Sequence, residues 1–97
     1  MQFSKEIKLC YKDIVKRIKF PENFKELINY VKDSFEINNR TYITFYFIDN
    51  ENDKILISNE EEFKGASLFM EKFKFDLIKF FIQTSDIHEE RREDNEN

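Results

Sequence analysis

The chain is poor in the residues that most chemistry needs: its 97 residues include one glycine, one proline, one cysteine, one histidine and no tryptophan. With Gly65 alone, there is no glycine-rich loop to cradle a phosphate. Cys10 cannot form an internal disulfide, and its place inside an apolar strand-like run reads as a structural thiol in a reducing compartment. His88 lies in a charged C-terminal segment, so no Ser/His/Asp set and no cluster of His and Cys ligands can be assembled. No apolar stretch approaches the roughly 18 residues of a membrane span. The N-terminus carries no apolar signal-like segment, which makes cytoplasmic residence the expectation. A net charge of −4 has the wrong sign for a general nucleic-acid binder. These absences leave a binding domain, with no enzyme activity, no cofactor, no metal, no nucleic acid and no membrane expected.

What the chain does have is enough for one folded domain. The hydrophobic content is 40%, with twelve Phe and four Tyr, against 37% charged residues, so a core is well supplied and disorder is not expected. Ile7, Leu9 and Tyr11 alternate with Lys8 and Cys10. After Lys12-Asp13 a second run extends from Ile14 to Phe20. A two-residue turn there makes a β-hairpin in which Ile7 faces Ile18 and Lys8 faces Arg17 on the outer side. The turn lacks Asn-Gly or Asp-Gly chemistry, so a longer loop and a register shifted by one remain open. Lys16 falls on the core side, where a local irregularity is expected.

Pro21 ends the hairpin, and Asn23 with Glu26 forms an Asn version of the capping box. Phe24, Leu27, Ile28, Val31 and Phe35 then follow helical spacing. Tyr42–Ile48 alternates with Ile43, Phe45 and Phe47 inward, and Lys54–Ile57 is a short further strand. Ser58, with Glu61 three residues on, is the expected cap of a second helix whose inner stripe is Phe63, Ala66, Ser67 and Met70. Gly65 weakens it. Phe75–Ile82 closes the fold as a strand with Ile78, Phe80 and Ile82 on one side. The order β-β-α-β-β-α-β is that of an α+β, ubiquitin-like β-grasp, a mixed sheet with both helices on one face. The domain is expected over residues 5–83, with 84–97 a charged, solvated tail.

The charge is not evenly spread. Asp49, Glu51 and Asp53 crowd the link between two strands, and Glu60, Glu61 and Glu62 follow shortly after. Packed like charges disfavour folding unless a cation answers them. Lys8, Lys16, Arg17 and Lys19 in the first hairpin offer such an answer. The glutamates also sit at a helix N-terminus, where negative charge is favourable in any case. A second reading of the same loop counts Asp49, Glu51, Asp53 and Glu60 as positions one, three, five and twelve of a calcium-binding EF-hand. Lys54 then stands where that loop wants glycine, Ile57 where it wants a polar ligand, and the flanks read as strands.

Together these residues resemble a PB1 domain. Phe47-Ile48-Asp49-Asn50-Glu51-Asn52-Asp53, continuing through Ile55, Ile57 and Ser58 to Glu60-Glu61-Glu62-Phe63, is similar to that family's acidic motif. Lys8 in Ile7-Lys8-Leu9-Cys10-Tyr11 matches its basic-strand lysine, and Lys16-Arg17 its reinforcing basic pair. Asn52 stands where the family usually has glycine, and Lys54 is an unexpected cation beside the acids. The resemblance implies a bifunctional module that pairs head to tail with another PB1-type domain, including a second copy of itself. The Lys8, Lys16, Arg17 and Lys19 face would receive Asp49, Glu51, Asp53 and Glu60–Glu62, in support of oligomerisation, scaffolding and signalling. The alternatives are the calcium module and a ubiquitin-like domain binding another kind of partner, such as a small GTPase, along its outer strand. A conjugated modifier is not expected, since the sequence does not close on a diglycine.

Overall fold

The computed structural model describes residues 5–86. In chain order the elements are β1 (Glu6–Tyr11), β2 (Ile14–Lys19), α1 (Phe24–Ser34), β3 (Thr41–Ile48), β4 (Lys54–Ile57), α2 (Glu60–Phe73) and β5 (Leu77–Asp86). They form one sheet in the order β2-β1-β5-β3-β4. β1 and β5 run parallel while the other neighbours are antiparallel, giving the expected mixed sheet of a ubiquitin-like β-grasp.

The hairpin has the two-residue turn and the register in which Ile7 faces Ile18 and Lys8 faces Arg17. Lys12 supplies the unusual backbone with a φ of 54°, a left-handed conformation more commonly met by Gly or Asn. The irregularity expected at Lys16 does not occur, since Leu9 pairs with Lys16 in an unbroken ladder. The aliphatic stem runs over the sheet edge. Its ammonium donates to the Ser34 carbonyl at 3.0 Å and lies 5.2 Å from the Phe35 ring centre. A long side chain can satisfy an inward position this way when a helix C-terminus with orphan carbonyls lies nearby.

The apolar faces of both helices and the inner face of the sheet build one core from Leu27 and Val31 of α1, Phe63, Ala66 and Met70 of α2, and Ile7, Leu9, Ile43, Phe45, Phe47, Ile57, Phe80 and Ile82 of the strands. Phe80 sits among Phe20, Phe45, Phe47 and Phe63, with ring centres 6.0–6.5 Å apart, within the range of favourable aromatic pairs. Phe81 departs from this inward pattern, stacking at 4.9 Å on Tyr46 on the opposite side of the sheet.

Three boundary differences from the sequence reading have a clear local cause. Asn59, not Ser58, caps α2: its side chain accepts from the Glu62 amide at 2.8 Å, and Glu62 accepts from the Ser58 amide at 2.7 Å and its hydroxyl at 2.9 Å. The box is therefore Asn59 with Glu62, one residue later than Ser58 with Glu61. In α1 the cap is Asn23, as expected, accepting from the Glu26 amide at 2.8 Å. Second, β5 starts at Leu77 rather than Phe75. Lys74 takes a left-handed φ of 60° as the α2 C-cap, and Phe75 donates to the Met70 carbonyl at 2.9 Å, closing the helix end before extended backbone begins. Third, β5 runs past Gln83 to Asp86, because β3 is long enough to offer Ile43, Tyr42 and Thr41 as further partners. Residues 87–97 of the expected tail, with His88, lie outside the described residues.

Candidate interaction surfaces

The sheet order sends the two charged regions to opposite edges, with β2 and β1 on one side and the β3–β4 turn on the other.

The acidic turn is organised by Asp49. One of its carboxylate oxygens accepts from the amides of Glu51 at 2.9 Å and Asp53 at 2.8 Å. Its own amide donates to the Asp53 carbonyl at 2.9 Å, and its carbonyl accepts from the Asn52 amide at 3.0 Å. Asp and Asn side chains commonly stabilise turns by such local bonds. Asn52 fills the left-handed position with a φ of 68°, the role that glycine usually plays. One carboxylate oxygen from each of Asp49, Glu51 and Asp53 lies within 4.8 Å of the other two. Glu51 and Asp53 are exposed and Asp49 is half-buried. Lys54, the cation beside them, lies over the Tyr46 ring at 4.4 Å.

The three following glutamates have separate roles. Glu60 accepts from the Phe24 amide at 2.7 Å, satisfying an orphan N–H at the start of α1 and tying the two helices together. Glu62 is held in the α2 cap. Glu61 is exposed in the first turn of α2. The EF-hand count fails on architecture: the flanks are β3 and β4 rather than helices, and the position-twelve residue, Glu60, is turned to α1.

On the basic side, Lys8, Arg17 and Lys19 share the outer face, away from the helices, while Lys16 points to the helix side. Glu6 is set among them. It is abreast of Lys19 and accepts from the Arg17 guanidinium at 2.6 Å. Sequence reasoning missed this acid, and it also missed Lys79, which the parallel pairing of β1 and β5 places directly beside Lys8. The signal for Lys79 was present, because assigning Ile78 and Phe80 inward forces it outward. Next to these cations, Val15, Cys10, Phe81, Tyr46 and Leu56 form a row across all five strands. Val15 is 58% exposed and Leu56 48%, so the two ends of the row are its most open parts. Cys10 is a free, half-buried thiol.

The family profile described as PB1 domain matches residues 4–85. The chain belongs to the PB1 family. Among solved structures it is similar to the AtNBR1-PB1 domain, with a TM-score of 0.72 at 8% identity, covering 87% of this chain and 100% of that one. A similar match, with a TM-score of 0.71 at 10% identity and coverage of 84% and 98%, is to the cryo-EM structure of the AtNBR1-PB1 filament, L-type. These likenesses show the fold. No curated protein sequence matches the chain. PB1 domains form a family of protein-interaction modules, and that is the class in which this domain falls.

Proposed function

We propose that this PB1 domain pairs head to tail, the outer face around Lys8, Arg17 and Lys19 receiving the acidic turn of Asp49, Glu51 and Asp53 from another PB1-type domain. A second copy of this chain is one such domain. The carrying observation is that one rigid sheet holds complementary charge at opposite edges, with the three carboxylates already gathered within 4.8 Å. A contact between unlike surfaces is heterologous, so each copy bound leaves one free face and growth continues into a chain. That a similar PB1 domain forms a filament supports this reading. Glu61 contributes at the rim, whereas Glu60 and Glu62 shape the site by fixing the helix ends beside it. Lys16 likewise acts through α1. Several charge-assisted hydrogen bonds forming together, offset by desolvation, correspond to micromolar to nanomolar affinity. A reducing, cytoplasmic setting, in scaffolding or signalling, belongs to the same proposal.

The test uses two one-faced variants. Lys8→Ala loses the plus face, and Glu51→Gln with Asp53→Asn loses the minus face while keeping Asp49 to hold the turn. Light scattering should show salt-sensitive growth for the parent, a monomer for each variant, and a one-to-one complex that grows no further when the two are mixed. A mixture that stays monomeric, or a variant that still assembles alone, would refute the assignment.

A further inference from the structure

We propose that the contact with the acidic partner is centred on the Lys8–Lys79 pair, with Arg17 and Lys19 at its flank, making Lys79 a specificity-determining residue of the basic face. The inference rests on the head-to-tail reading and adds to it where the contact lies. Among the described residues, Arg17 is paired with Glu6 at 2.6 Å, Lys19 stands abreast of that same Glu6, and Lys16 is bound to the end of α1. Lys8 and Lys79 take part in neither of the ion pairs found there, Arg17–Glu6 and Lys5–Glu71. They are direct neighbours in the parallel ladder and share the outer face. Like charges placed side by side on adjacent strands are unfavourable, and a docked carboxylate cluster removes that cost.

The footprints agree. Adjacent strands lie about 4.8 Å apart, so Arg17, Lys8 and Lys79 together span about 10 Å. The acidic turn brings one carboxylate oxygen from each of Asp49, Glu51 and Asp53 within 4.8 Å of one another, which matches the spacing of two neighbouring strands. Of the two possible pairs, Lys8 with Arg17 already includes an internal acid, and Lys8 with Lys79 does not. The surroundings favour the same choice. Phe81 follows Lys79 on that face and stacks on Tyr46, so the Lys8–Lys79 pair borders an aromatic surface against which a partner can also pack.

The experiment is a calorimetric titration between one-faced protomers. The plus-face protomer, carrying Glu51→Gln and Asp53→Asn, is titrated with the Lys8→Ala protomer, first as it stands and then with Lys79→Ala, Lys79→Arg or Arg17→Ala added to the plus-face protomer itself. Lys79→Ala should raise Kd about tenfold or more, at least as much as Arg17→Ala, with Lys79→Arg retaining most of the affinity. Amide shifts of the labelled plus-face protomer should centre on β1 and β5. Unchanged affinity in Lys79→Ala, or shifts confined to β2 and its turn, would overturn the seat while leaving head-to-tail pairing intact. No binding between the starting protomers would overturn both.

Discussion

The acidic turn and the basic face carry opposite charge, but they are built in opposite ways. The turn is made from five consecutive residues, with Asp49 bonded to the backbone of Glu51 and Asp53. Its carboxylates are gathered by local geometry before any sheet is considered. The basic face takes Lys8, Arg17 and Lys79 from three strands, and nothing but sheet register brings them together. A binding surface encoded locally is robust and easy to see in a sequence. One encoded by register depends on the core beneath it.

The largest effect that separates the two should come from the core. Phe80 is fully buried in β5, the strand that presents Lys79. Phe80→Ala should cost about 3–5 kcal/mol, measured by urea denaturation. In the partly destabilised protein, hydrogen exchange should rise across β1 and β5 together.

A smaller break is specific to the acidic side. Asp49→Ala removes the acceptor for two backbone amides and should cost about 1–3 kcal/mol in the same measurement. Asp53→Asn, at an exposed carboxylate, should stay within about 0.5 kcal/mol while weakening self-association. Equal stability losses in the two variants would show that Asp49 does not organise the turn.

Lys16 gives a finer contrast within the basic sequence. Since its ammonium serves the Ser34 carbonyl, Lys16→Ala should lower stability by about 0.3–1 kcal/mol and leave Kd within twofold, about 0.4 kcal/mol. A loss of affinity comparable to that of Lys8→Ala would return Lys16 to the contact surface. The smallest expected effect is none: millimolar calcium should not move the melting temperature, because a ligand that binds only the folded state must raise it. A saturable rise would restore the calcium reading of the turn.

Much of the architecture was legible because it is written in short-range patterns. Alternation in β1 and β3 told which side chains face inward, and Asn23 with Glu26 marked the start of α1. The same kind of signal misled by one residue at α2, where Ser58 and Asn59 are both good caps and both Glu61 and Glu62 lie three residues on. Local chemistry was satisfied either way, and the structure takes Asn59 with Glu62. The acidic residues were legible as a cluster, but their division of labour was not. Glu60 answers an amide of Phe24, which is close in space and distant along the chain.

The sequence by itself determined the strand and helix alternation, the hairpin turning near Lys12-Asp13, and the concentration of acid between β3 and β4. Each of these follows from backbone periodicity or residues a few positions apart. Tertiary structure alone decided that β5 lies parallel to β1 and carries Lys79 to Lys8, that Lys16 is spent on α1, and that Glu6 partly answers the basic face. Those facts depend on which distant segments share the core, and the cost of bringing such segments together is repaid only by burial of the whole apolar face.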